Sequence, residues 1–455
     1  MPVEQVPIRL GDWRRATAIL AIVFCDLGLF TVSWDRFGDL SVGDFNVKMS
    51  VVAFGLSAVL IVLAGQFRWA LIAPRHITII VTLMVVVMII ASALAKEWTT
   101  GFLTVFRVIV GAFLPAGAVL AIASIERQFR EMLKWFVWGA LFACGFGLYQ
   151  IFAFYIGTPQ FVNYTGVSGG LGRISSFSYE PAEFGYFLVL AVVAAIVRRS
   201  ITRTLFSELQ IALLLVTLIL LNSRAVFLTL PLLLILIRPI SSGLISKRKF
   251  WVALGSLAGV VLAVCLIVPP IPRLLTSQFL SIFNPNEQAS NAPRLQLYDA
   301  ALHLAAQHFW IGVGPSNFGL YISQLHYAQY AGVSLNKMVV NNVWLQSMMD
   351  GGIVLTLAQG ALVVLVVTSV YLSKNVNARI LGAGWLAVIV VGGMVVSNFY
   401  EAKLWVVLAL AITAARNAYP TGPLVSSEDP QAWLGRFARR GNPVRAFLRR
   451  RRSTD

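Results

Sequence analysis

A chain of 455 residues is long enough for two or three soluble domains, yet 58% of it is hydrophobic and only 12% charged, about half the charged share of a soluble domain. That much apolar surface excludes a soluble globular fold. The net charge of +17 then reads as membrane topology and contact with anionic headgroups rather than nucleic-acid binding.

Apolar runs of about twenty residues, the length a spanning helix needs, recur along the chain and predict an all-α, polytopic bundle of about twelve transmembrane helices. In chain order they lie near Ala16 to Trp34, Met49 to Phe67, His76 to Ala95, Thr100 to Ile125, Leu133 to Gly157 and Ala182 to Val197. Six more follow, near Leu205 to Leu221, Ala225 to Ile240, Phe250 to Pro270, Ile353 to Leu372, Ile380 to Phe399 and Tyr400 to Ala418. Residues 1–418 form the membrane domain and 419–455 a basic tail. The first span lacks the small-residue cleavage pattern of a signal peptide and is kept as a helix. Cys25, Cys144 and Cys265 fall inside spans, where they read as apolar packing rather than disulfides or metal ligands.

Alternate loops collect Arg14, Arg15, Arg68, Arg75, Arg127, Arg130, Lys134, Arg198, Arg199, Arg203, Lys247, Arg248, Lys249, Lys374 and Arg379. Positive charge marks the cytoplasmic side, so both termini are expected inside a bacterial inner membrane, with the tail ending in Arg449 to Arg452 on the same face. Two longer loops then face outward. Thr158 to Pro181 is rich in Gly and Ser. Pro272 to Asn342 holds His303, His308 and His326, and a loop this long in a compact membrane protein is usually functional.

Within the second loop, Arg294 to Trp310 carries Leu295, Tyr298, Leu302, Ala305 and Phe309 at helical spacing, with Gln296, Asp299, His303 and Gln307 on another side. This predicts an amphipathic helix lying on the outer surface or capping the bundle, with Asn291 as N-cap and Pro293 in its first turn. Arg294 in that turn opposes the helix dipole as a mere surface residue, but together with free backbone N–H groups it suits a bound anion such as phosphate. Asn222, Ser223 and Arg224 are the whole connection between two apolar runs, and an arginine held at that depth needs a watery cavity or an anionic partner. Arg107, some eight residues into the fourth span, raises the same question or snorkels outward. Glu180 precedes Pro181 at the start of the sixth span, where it either caps the helix or accepts a hydrogen bond or proton from a sugar hydroxyl. Glu183, one turn deeper, is the second candidate for that task.

Taken in order, RISSFSYEP (Arg173 to Pro181), LNSRA (Leu221 to Ala225), RLQLYDAALHLAAQHFWIGVGPSNF (Arg294 to Phe318) and NNVWLQSMMDGGI (Asn341 to Ile353) resemble the O-antigen ligase and O-antigen polymerase superfamily. The resemblance implies a GT-C-like membrane glycosyltransferase whose donor is a glycan on undecaprenyl diphosphate, with Arg224 and Arg294 gripping the diphosphate. Such arginines stabilise the charge on the departing diphosphate, a task other glycosyltransferases give to a metal ion. No carboxylate pair suited to a metal stands out, so metal-independent transfer without a cofactor is expected. Glu180 joins the two arginines as the catalytic set. Arg107, Arg173, Glu183, Tyr298, Asn341 and Asn342 are the expected substrate contacts, and Tyr298, Trp310, Tyr321 and Trp344 either stack on sugars or anchor at the interface. The expected partners are the lipid-linked oligosaccharide, membrane lipids, and assembly proteins such as a flippase and a chain-length regulator.

Ligases of this superfamily carry His-Asn where this chain has Asn341-Asn342. An amide cannot serve as a base near neutral pH, which points to the polymerase branch, with a ligase acting on lipid A-core or protein as the alternative. A transporter or flippase for lipid-linked oligosaccharide is the other alternative, but the chain lacks the repeated halves that such proteins usually show.

Overall fold

The computed structural model describes residues 10–36, 40–42, 45–64, 74–123, 126–161, 167–168, 171–172, 174–202, 204–221, 223–241, 259, 292–322, 338–397 and 399–416. The expected ninth span from Phe250 to Pro270 and the basic tail lie outside the described residues. So do Arg173, Asn222, Cys265, Asn291 and His326.

The described chain is helical apart from two short antiparallel hairpins, β1 (Leu40–Val42) with β2 (Phe45–Val47) and β3 (Val167–Ser168) with β4 (Leu171–Gly172). The first helices are α1 (Leu10–Thr31), α2 (Met49–Leu63), α3 (Arg75–Leu94), α4 (Trp98–Val108), α5 (Leu114–Ala123) and α6 (Glu126–Ile156). A single π-helical turn, Ile109–Phe113, joins α4 to α5. Then come α7 (Pro181–Ile201), α8 (Leu205–Leu220), α9 (Arg224–Ser241), α10 (Ala292–Gln307), α11 (Phe318–Ile322), α12 (Val343–Val366), α13 (Val376–Val390) and α14 (Ala402–Arg416).

Among the described residues, six stretches are long and apolar enough to cross a membrane: Arg75–Leu94, Trp98–Ala123, Gln128–Ile156, Pro181–Ile201, Val343–Tyr371 and Val376–Met394. Shorter apolar helices at Ala16–Thr31, Met49–Leu63, Leu205–Leu220 and Ala225–Ile237 accompany them. The protein is therefore an all-α, multi-pass membrane bundle. α7, α13 and α14 are apolar on all sides and buried on nearly all sides, as helices at the centre of a large bundle must be. They pack on one another, and α5, α6, α8 and α9 surround them. The outer helices instead turn Val59, Ile79, Leu103 and Leu357 outward, each at least half exposed. Such a belt is stable only against lipid.

Two expectations change. The tenth span begins at Val343, ten residues earlier than hydropathy placed it, and is broken at Gly351 and Gly352, the latter at φ +65°. A Cβ on Gly352 would sit 2.3 Å from the backbone of Trp310, so the break lets another chain segment approach closely. That segment is the run after α10. Val313 and Gly314 donate backbone hydrogen bonds to the Met349 carbonyl (2.8 and 3.1 Å), and Ile353 donates to that of Phe309 (2.9 Å).

The second change concerns α10. Its buried face is Leu297, Ala300, Ala301, Leu304 and Ala305, whereas Leu295, Leu302 and Phe309 are exposed. Leu297 and Leu304 alternate with Ala300, Ala301 and Ala305 along the stripe that packs on α12. Of the apolar residues expected to share a face, Ala305 is buried, while Leu295, Leu302 and Phe309 point away.

Candidate functional site

Segments distant in sequence meet at one end of the bundle: the turn after α1, the lead into α2, the lead into α7, the first turn of α10 and the start of α14. The turn after α1 places Asp35 inward, only 2% exposed. Trp34 donates its backbone N–H to the Thr31 carbonyl (2.9 Å), and Arg36 donates its own to the Phe177 carbonyl (3.0 Å), which ties the turn to the segment before α7. Lys48 lies 2.5 Å from one Asp35 oxygen and Lys403 lies 3.2 Å from the other. Lys403 also meets Glu401 at 2.6 Å and is itself only 2% exposed.

Burial pushes the Asp35 carboxyl up, but Lys403 and Lys48 outweigh it and hold the group below its ordinary value. Burial likewise works against the charge of Lys48, and Asp35 and Glu401 overcome it, so this amine stays protonated beyond its usual range. Charges this deep persist only when each has an opposite partner.

The segment before α7 is fixed by α6. Ser176, at φ +52°, donates its backbone N–H to the buried Gln150 side-chain oxygen (2.8 Å), and its hydroxyl donates to the Ala143 carbonyl (2.7 Å). Phe177 stacks on Phe146 with centroids 4.3 Å apart. These contacts aim the next residues outward. The Arg36 guanidinium covers the Tyr179 ring at 4.6 Å, with Lys48 on the same ring at 5.9 Å. Glu180 occupies the N-cap position of α7 before Pro181 but makes no side-chain cap hydrogen bond. Its carboxylate lies 3.7 Å from Arg294, with side chains 50% and 30% exposed. The capping reading of Glu180 is not met, since its carboxylate faces Arg294 instead of the α7 backbone.

Arg294, Glu180, Glu183, Tyr298, Asn341 and Asn342 come together here. Tyr298 donates to the Asn341 carbonyl (2.8 Å) and also lies within hydrogen-bond reach of the Met394 carbonyl (3.0 Å). Burial holds its phenol above the ordinary value, partly countered by Arg294. The Asn342 side chain accepts from the N–H groups of Trp344 and Leu345 (3.0 and 3.1 Å) and so caps α12. The Ser397 hydroxyl donates to the Val340 carbonyl and closes this corner. Glu183, in the first turn of α7, has one carboxylate oxygen buried without a hydrogen-bond partner. The charges of Glu401, Lys403, Asp35 and Lys48 reach it.

Arg224 opens α9 directly after the buried Ser223, but its side chain lies outside the described residues. Arg107 is exposed in the last turn of α4. That helix touches the run after α10 through Thr104 and Ser316 (2.9 Å). Among the other aromatic candidates, Trp310 is 70% exposed, and Tyr321 meets His308 edge-on at 5.4 Å. Among the described residues no three His, Cys, Asp or Glu side chains gather as metal ligands would.

Sequence reasoning missed Asp35, Lys48, Glu401 and Lys403. The available signal was Lys403 itself, an ammonium at the head of the apolar run LWVVLALA, where charge needs a buried partner. Nothing local showed that its partner lies 368 positions away. Residues 209–359, running from α8 through α10 into α12, match the family model of the O-antigen ligases. No curated protein matches the chain.

Proposed function

We propose that this chain is a repeat-unit polymerase of the bacterial inner membrane, a reading supported by the match of residues 209–359 to the family model of the O-antigen ligases. In this reading it transfers a growing glycan from undecaprenyl diphosphate to the terminal sugar of another lipid-linked repeat unit, without a metal ion. The observation that carries the proposal is Arg294, aimed across the charged end of the bundle at Glu180. A guanidinium matches a diphosphate with two parallel donors, and in a poorly hydrated site such contacts stabilise the charge that grows on the leaving group. Arg224 is assigned as a second guanidinium for the diphosphate, and Arg107 and Arg173 as further contacts to the lipid-linked substrate, on the sequence reading. Glu180 and Glu183 orient the acceptor, Tyr298 and Asn341 border it, and Asn342 holds the start of α12 in place.

The polymerase branch is favoured over the ligase branch by Asn341-Asn342, since neither amide can take a proton from an acceptor hydroxyl near neutral pH. On this reading both termini are cytoplasmic and the charged end of the bundle is periplasmic. Assembly partners would be a flippase that delivers the substrate and a regulator of chain length.

A deletion strain tests the branch. Loss of a polymerase leaves single repeat units on the lipid carrier, whereas loss of a ligase leaves long chains there. Long carrier-linked chains in the deletion strain would overturn the polymerase reading.

A further inference from the structure

Around the first turn of α7 three carboxylates, Asp35, Glu183 and Glu401, share two ammonium groups, Lys48 and Lys403. Asp35 touches both lysines and Glu401 touches Lys403. Glu183 has no such contact, and one of its oxygens is buried without a hydrogen-bond partner. The side chain as a whole is only partly buried, so it can be reached from the site. A second orphaned polar atom lies three residues along the same helix face: the Tyr186 hydroxyl, on a residue 1% exposed, is also buried without a partner. The charges of Arg294 and Glu180 reach that phenol. Native interiors rarely leave two such groups unsatisfied side by side, and a polar ligand seated between Arg294 and Glu183 supplies what the protein withholds.

We propose, resting on the transferase reading above, that Glu183 is the proton acceptor of the transfer. The acceptor hydroxyl oxygen bonds to the anomeric carbon of the donor sugar. The bond from that carbon to the diphosphate oxygen breaks, and the diphosphate leaves with the electron pair. The hydroxyl proton passes to Glu183. With three carboxylates against two ammonium groups, the cluster is one positive charge short, and that proton makes it neutral. Asp35 and Glu401 cannot take the role because each already faces a lysine.

Two measurements test this. Polymer is quantified in a deletion strain carrying each variant, and undecaprenyl diphosphate binding to the purified full-length protein is followed by tryptophan fluorescence. Glu183→Gln keeps the shape and removes one carboxylate from an over-negative cluster, so it should insert and fold normally. We expect it to bind undecaprenyl diphosphate as the wild type does, while polymer falls about 100-fold or more, the usual contribution of a positioned base. Glu183→Asp should retain a measurable fraction. Tyr186→Phe should lower polymer with no loss of thermal stability, because the oxygen it removes has no partner in the protein.

Normal polymer from Glu183→Gln, with Arg294→Ala still inactive and unable to bind undecaprenyl diphosphate, would overturn the proton-acceptor assignment and leave the transferase reading standing. Absence of undecaprenyl diphosphate binding by the wild type, with normal polymer from Arg294→Ala, would remove both.

Discussion

Replacing Asp35 with Asn isolates the buried network that frames the site. The variant keeps the shape of the side chain and removes the negative charge that faces Lys48 at 2.5 Å and Lys403 at 3.2 Å. Removing one partner of a buried ion pair costs about 3–5 kcal/mol because the other charge is left uncompensated. Two features place Asp35→Asn near the lower end of that range. Lys403 keeps Glu401 at 2.6 Å, and the Lys48 side chain, 29% exposed, can turn to water. Lys403→Met should be comparably harmful, since it strands Glu401 and leaves Asp35 with Lys48 alone. The double variant leaves one ammonium, Lys48, and one carboxylate, Glu401, so the charges balance again, and the coupling should be about 1–3 kcal/mol in favour of the pair. Thermal unfolding of the purified protein in detergent, read by tryptophan fluorescence, gives the order of the four forms.

The pH dependence has a definite sign. A carboxyl held below its ordinary value of about 3.9 contributes stability that is complete above that value and is lost as pH falls through the lower, folded one. The gap between wild type and Asp35→Asn should therefore be constant from pH 7 down to about 5 and close only in stronger acid. An Asp35→Asn variant that melts with the wild type at pH 7, or a double variant as damaged as the two single changes combined, would refute the network as described.

Other outcomes follow from single contacts. Gly352→Ala should destabilise the protein by several kcal/mol and expose the run after α10 to limited proteolysis, because a Cβ there lies 2.3 Å from the Trp310 backbone at φ +65°. Asn342→Ala removes the cap of α12 and should cost about 1 kcal/mol, seen as a modest fall in melting temperature with polymer synthesis retained. A cysteine replacing Leu302, which is 58% exposed on α10, should react with an impermeant maleimide in intact spheroplasts; protection until lysis would reverse the orientation and remove the site from the periplasm.

Hydropathy located nearly every described helix because lipid imposes length and composition on each span independently of its neighbours. It failed where neighbours decide. The tenth span begins ten residues early because a glycine break admits the Trp310 backbone, and no window of apolar residues registers a helix that continues around a docked loop. α10 hid its orientation for a related reason: its contact stripe joins Leu297 and Leu304 to three alanines against α12, while the equally apolar Leu295 and Leu302 remain outside. Arg294, Glu180, Glu183 and Tyr298 were legible because each is chemically out of place in its local sequence. Asp35 and Lys48 were not, since a charged residue just beyond an apolar run is ordinary until the fold buries it.

The two charged layers of the site differ in how easily a ligand can enter them, and that difference bears on mechanism. Asp35, Lys403 and Glu401 hold one another at 2.6 to 3.2 Å with two members almost wholly buried, so no incoming anion can exchange with them without stranding a charge. Arg294 and Glu180 meet at 3.7 Å while 30% and 50% exposed, a geometry that holds a pair by about 1 kcal/mol or less. A diphosphate offers the guanidinium more charge and two acceptors side by side, so it displaces Glu180 at small cost. On the proposed reading, binding of the donor thereby frees the Glu180 carboxylate for the acceptor sugar, beside Glu183. In that proposal the inner layer stays fixed throughout, and the outer pair is the part that the substrate would rearrange.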